Sequence, residues 1–136
     1  MSVLKSQRNE SKLTVLLRAE DLVCYTLDKV NNAHIFPKRQ RWQMANRVLD
    51  LVLGLAEKVY KANYIHVVDP ETKRERRRLQ DEALRDSGWL LELLNILIKK
   101  HNLTPSTAAY WVDSITEFQH YLKAWQKSDE ATYKDI

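Results

Sequence analysis

Apolar residues recur along this chain at alternating spacings of three and four, the period of helices that turn one face to a core. The pattern is cleanest in Trp42, Ala45, Leu49, Val52, Ala56, Val59 and Asn63, which keep a strict heptad. It predicts a helix opened by Pro37, a residue suited to a first turn, and closed near Tyr64. A second heptad runs through Ala108, Trp111, Ile115, Phe118, Leu122 and Trp125. Thr104 before it is a good N-cap, and Pro105 a good first helical residue. Between these two helices a third is expected over Thr72 to His101, with Leu79, Ala83, Leu90, Leu93 and Leu97 in register and Asp86 as an interruption. Ahead of them a helix from Ser11 to Asn32 would bury Leu13, Leu16, Val23, Leu27 and Val30. Glu20 is its misfit, with Leu17 and Cys24 placed to take over the buried side. Asn31-Asn32 and Phe36-Pro37 break that first helix, and residues 65–71, with Asp69-Pro70 inside them, read as a connecting loop.

Four amphipathic helices with short connections predict an all-α fold, an up-and-down antiparallel four-helix bundle. It would span residues 11–127, between a flexible N-terminus (1–10) and a polar C-terminal tail (128–136). Helices of about 20 to 28 residues give a bundle roughly 30 to 40 Å long.

Composition agrees with one domain. The chain has 136 residues, 44% of them hydrophobic and 29% charged, and its two glycines and three prolines leave little material for the turns of a sheet protein. With no apolar run of about 18 residues and no apolar core near the start, neither a membrane span nor a secretory signal is expected, and the location is read as cytoplasmic. The net charge of +4 permits a polyanionic partner without demanding one.

Catalytic chemistry finds little to work with. Glu117-Phe118-Gln119-His120 holds one Glu-x-x-His, but a di-iron bundle needs two of them and two further inward glutamates. His34, His66 and His101 have no metal-ligand spacing. Cys24, the single cysteine, sits on an apolar helical face. Gly54 and Gly88 both fall inside helices, where close helix approach is the expected reason for tolerating them, so no phosphate loop is possible. The expectation is a protein without catalytic residues, metal or cofactor.

Two surplus features point to partners instead. Val48, Leu51 and Leu55 on the second helix, and Leu84, Leu91 and Leu94 on the third, widen the apolar arc beyond what a helix buried on one side requires. They predict a subunit interface, the alternative being a core that wraps each helix more fully. Basic residues also crowd two helix starts, Lys38, Arg39 and Arg41 on the second and Lys73, Arg74, Arg76, Arg77 and Arg78 on the third, with Arg85 two turns on. Cations are disfavoured there by about 0.3–1 kcal/mol each, so a sequence tuned for stability alone would place them elsewhere. The third-helix cluster shares an end of the expected bundle with Arg8, Lys12, Lys123 and Lys127, a basic pole suited to phosphates.

Phe36-Pro37-Lys38-Arg39-Gln40-Arg41-Trp42, running into Asn46-Arg47 and Lys61-Ala62-Asn63-Tyr64, resembles a known bacterial family. Arg78-Leu79-Gln80-Asp81-Glu82-Ala83, Leu103-Thr104-Pro105 and the pattern from Asp113 to Trp125 extend the resemblance over roughly residues 20–127. These are small four-helix-bundle proteins that include the accessory variability determinant (Avd) of diversity-generating retroelements, with relatives encoded in intervening sequences of bacterial large-subunit ribosomal RNA genes. The resemblance implies a positively charged homopentameric assembly without catalytic residues. It would associate with a reverse transcriptase and template RNA while error-prone complementary DNA is made. The intervening-sequence relatives imply the alternative of an orphan RNA-associated bundle.

Overall fold

The structure is a computed structural model that describes residues 5–136, and the side chains of all of these except 5–11 and 40–42. Four helices follow one another: α1 (Lys5–Val30), α2 (Asn46–Tyr64), α3 (Pro70–Lys99) and α4 (Pro105–Thr132). Among the described residues there is no strand. Each helix packs on its neighbours in sequence, and α4 closes the bundle against α1. Cross-links between α3 and α4 show the antiparallel sense, since numbers rise on one helix as they fall on the other: Arg76 meets Asp129, Asp81 meets Gln126, Ser87 meets Gln119. Thr26–Trp111 and Arg18–Glu117 relate α1 to α4 in the same way. The fold is the expected up-and-down bundle.

The heptads of α3 and α4 form the core as predicted. Leu79, Ala83, Leu90, Leu93 and Leu97 are buried, as are all six expected residues of α4. Ala45, just before α2, and Val52, Ala56 and Val59 on α2 are buried, whereas Leu49 and Asn63 are half-buried. Trp111 and Trp125 are the largest enclosed side chains; that of Trp42 lies outside the described residues. Replacing Leu93 with alanine is expected to cost about 2–5 kcal/mol as a core cavity, and Leu49→Ala less, which urea unfolding would measure.

α1 departs from expectation. Its buried line is Val15, Ala19, Leu22, Thr26 and Val30, so the core face is rotated away from the predicted one. Leu13, Leu17, Cys24 and Leu27 are exposed, and Leu16 and Val23 are half-buried. The reason lies on α4. Trp111 fills the space opposite Thr26 and donates its indole N–H to the threonine hydroxyl at 3.2 Å, which demands a small polar partner where a leucine seam has none. The helix also begins by Lys5, and α4 runs on to Thr132, so the segment expected as a polar tail carries buried Ser128.

Helix ends follow capping chemistry. Asp69 caps α3, accepting from the Thr72 amide at 2.8 Å, and the Thr72 hydroxyl in turn accepts from the Asp69 amide. Pro70 is therefore the first residue of α3, not part of a loop. Thr104 caps α4 ahead of Pro105, as expected. α2 is reached through a 3₁₀ turn (Lys38–Gln40) and a π turn (Arg41–Ala45). Gly54 and Gly88 are not sites of close helix approach: a Cβ added at either would meet nothing within 4 Å.

Candidate nucleic-acid interface

The basic run that opens α3 is tied into the protein. Arg76 is buried, and its guanidinium donates twice to Asp129, each bond 2.9 Å, and once to the Ile65 carbonyl. It also stacks 4.9 Å from the Trp125 ring. Gln80 adds a third hydrogen bond to the same carboxylate. Burial pushes the Asp129 carboxyl above its ordinary range, against the pull of Arg76 and Gln80. Lys73 donates to the carbonyls of Tyr133 and Ile136. Arg77 is shared between Asp81 and Glu130, and Arg78 pairs with Glu82 one turn on. Arg76 is thus corrected from a surface contact to a buried structural residue; Arg77 ties α3 to α4, Lys73 ties it to the chain beyond α4, and Arg78 is paired within α3. Arg74 and Arg85 remain exposed and without an ion pair among the described residues. Arg74 lies near enough to Asp69 to help lower that carboxyl, which the Thr72 amide depresses most.

Available charge gathers at the other end of the bundle. There the 3₁₀ turn carrying Lys38 and Arg39 lies at the same end of the bundle as the C-terminus of α3, where Lys99 and Lys100 stand exposed. The chain before the turn and the chain after α3 are fastened together: Asn102 Nδ2 donates to the Ile35 carbonyl at 2.9 Å, and Ile35, Phe36 and Leu103 are buried. α3 closes in a Schellman motif, with Asn102 N–H on the Leu97 carbonyl and His101 N–H on that of Ile98. His101 takes the left-handed conformation (φ 64°) in which glycine is usual, turning the chain sharply so that Lys99 and Lys100 cap the pole. Segments 28–47 and 96–112 contain Lys29, Lys38, Arg39, Arg41, Arg47, Lys99 and Lys100 against the single carboxylate of Asp28. Lys29 is engaged with the Tyr25 ring, and the side chain of Arg41 lies outside the described residues, as does that of Arg8 at the opposite end. Lys38, Arg39, Arg47, Lys99 and Lys100 have no ion pair among the described residues.

A helix C-terminus welcomes cations, so in the sequence Lys99 and Lys100 need no function to explain their place. The absence of acids from residues 96–112 was the signal that a surface lay beside them.

Three of the six residues of the predicted apolar interface lie inside the chain. Val48, Leu55 and Leu94 are fully enclosed in the chain's own core and cannot meet a second subunit. Leu51, Leu84 and Leu91 are half-buried and packed against that core. Exposed apolar residues lie on α1 and α2, besides Trp89 on α3 and Tyr110 on α4. Leu13, Leu17 and Leu27 on α1 lie away from Arg18 and Tyr25, which meet α4. Leu53 and Tyr60 on α2 lie away from Lys58, which meets α3. Both sets therefore lean to the shared α1/α2 side of the bundle. In the Glu-x-x-His segment, Glu117 pairs with Arg18 and His120 lies edge-on to Tyr121. The described residues contain no group of three or more side chains arranged to hold a metal ion, and no helix long and apolar enough to cross a membrane.

The site is a pole of cations without ion pairs among the described residues, at the end of the bundle where Asn102, after the sharp C-cap of α3, is bonded to Ile35, three residues before the 3₁₀ turn. In comparisons with protein-family models, curated proteins and solved structures, the chain matches none of them.

Proposed function

We propose that this chain is a non-catalytic accessory subunit of a diversity-generating retroelement, a basic homo-oligomeric ring that engages the reverse transcriptase and its template RNA and complementary DNA. The observation that carries the reading is the pole of Lys38, Arg39, Lys99 and Lys100, cations without carboxylate partners among the described residues, at the end of the bundle where Asn102 ties the chain after α3 to Ile35. Unneutralised arginine and lysine on a rigid end attract phosphate through counterion release and need no sequence readout. The four-helix bundle and the motif resemblance around Lys38 to Trp42 support the same role. Self-association is assigned to the α1/α2 side, where Leu13, Leu17, Leu53 and Tyr60 are exposed, because the earlier candidates Val48, Leu55 and Leu94 are internal. The experiment is co-expression of the tagged chain with a retroelement reverse transcriptase and template RNA, followed by complementary-DNA synthesis with and without the chain. Co-purification as a multiple of 16.1 kDa and stimulated synthesis are expected. A monomer that neither retains the polymerase nor changes synthesis would overturn the proposal.

A further inference from the structure

We infer that the open groove between α2 and α3 is a stacking site for one base of a single-stranded nucleic acid, with Trp89 as the platform. The inference rests on the nucleic-acid reading above and adds to it the strand type and the residue that distinguishes it. Trp89 sits two-thirds of the way along α3 with 54% of its surface exposed, an unusual place for the largest apolar side chain. It lines a cavity of about 390 Å³ together with Arg47, Leu51, Gly54, Lys58 and Asp86. Gly54 forms part of the opposite wall, and nothing lies within 4 Å of where its Cβ would be. A mid-helix glycine costs about 1 kcal/mol relative to alanine, and no packing contact requires it here. Its effect is to keep the space beside the indole clear for a flat ring.

Charge around the groove selects the occupant. Lys58 and Asp86 neutralise each other in a short ion pair. Asp50 is the remaining carboxylate of the lining, which also carries Arg47. Arg85, one helical turn before Trp89 and on the same face, is exposed and without an ion pair among the described residues. Arg47 points the groove towards the pole of Lys38, Arg39, Lys99 and Lys100, and Lys99 is about 15 Å from Trp89 along α3 at 1.5 Å per residue. A strand held by its phosphates at the pole can therefore lay a base on Trp89 and reach Arg85 beyond it. This combination of a cationic track and an exposed aromatic face is how single strands are bound without sequence preference. A duplex keeps its base faces stacked and offers nothing to the indole.

The test is fluorescence anisotropy with a labelled oligouridylate and with an RNA duplex of equal length, for wild type, Trp89→Ala and Trp89→Phe. Trp89→Ala should weaken single-strand binding by roughly 10- to 100-fold, the range for loss of one stacked base, and leave duplex binding unchanged. Trp89→Phe should keep most of the affinity. Equal single-strand binding by Trp89→Ala and wild type would overturn the inference while leaving the basic pole standing. Equal loss on both ligands, or a change in oligomeric mass that marks the groove as a protein interface, would also overturn it. Failure of the wild type to bind either ligand would remove the nucleic-acid reading itself.

Discussion

Arg76→Ala is expected to destabilise the protein by about 3–5 kcal/mol, the range for removing one partner of a buried ion pair. The side chain is 9% exposed and its carboxylate partner Asp129 19%, so little water can replace the two lost hydrogen bonds. Truncation would leave Asp129 with Gln80 as its remaining hydrogen-bond partner among those described, and strip a planar cation from between Trp125 and Tyr133. The sign of the pH dependence follows from burial, which raises the Asp129 carboxyl in the folded state. A carboxyl raised on folding takes up a proton as the chain folds. Its favourable contribution is therefore present below the unfolded pKa and is lost as pH rises through the folded one. Removing Arg76 takes away a cation that opposes that rise, so the gap between Arg76→Ala and wild type should be wider at pH 8 than at pH 4. Urea unfolding followed by circular dichroism reads both effects. Arg76→Met with Asp129→Leu should recover much of the loss, since paired apolar replacements of a buried ion pair are often neutral. An unchanged unfolding midpoint together with lost RNA binding would return Arg76 to the surface role that its sequence neighbours suggested.

The contrast between Arg76 and the helix seams shows what a linear pattern can carry. α4 was legible because Trp111, Ile115, Phe118, Leu122 and Trp125 are all bulky and all buried, so hydrophobicity and packing coincide. α1 was not, because its core line depends on Ala19 and Thr26, which score weakly as apolar but fit against large side chains on α4. Leucines at 13, 17 and 27 mimicked a seam and lie outside. The caps are legible where the motif is local: Thr104-Pro105 marks the start of α4, and Asp69-Pro70 carries the same signal at the start of α3 inside a segment whose polarity resembles a loop. The candidate site was half legible. Lys38 and Arg39 were visible as misplaced cations, but the acids that satisfy Arg76 and Arg77 lie about fifty residues away on α4. Only packing brings Asp129 and Glu130 to them, and it likewise puts Lys99 and Lys100 at the same end of the bundle as Lys38 and Arg39.

Changing Lys38, Arg39, Lys99 and Lys100 together to glutamine is expected to abolish most nucleic-acid binding without unfolding the bundle. All four are exposed and make no ion pair among the described residues, so no buried partner is orphaned. Their stability effects oppose each other. Lys99 and Lys100 favour the C-terminus of α3, and Lys38 and Arg39 disfavour the start of the second helical segment, each by about 0.3–1 kcal/mol. Binding should respond far more. If each side chain neutralises one phosphate of a single strand, the salt slope should fall by about 3. Between 50 and 200 mM salt that change alone would narrow the gap between wild type and variant by roughly 50-fold. The control is Lys73, Arg77 and Arg78 changed to glutamine, which removes an equally dense run of charge already paired with Asp81, Glu82, Glu130 and the Tyr133 carbonyl. That variant should melt earlier and keep most of the wild-type salt slope. Anisotropy titrations across a salt series, with melting curves for both proteins, separate the two ends of the bundle. A pole variant with wild-type slope, beside an α3 variant that has lost it, would place the phosphate contacts on the paired run and overturn the assignment of the pole.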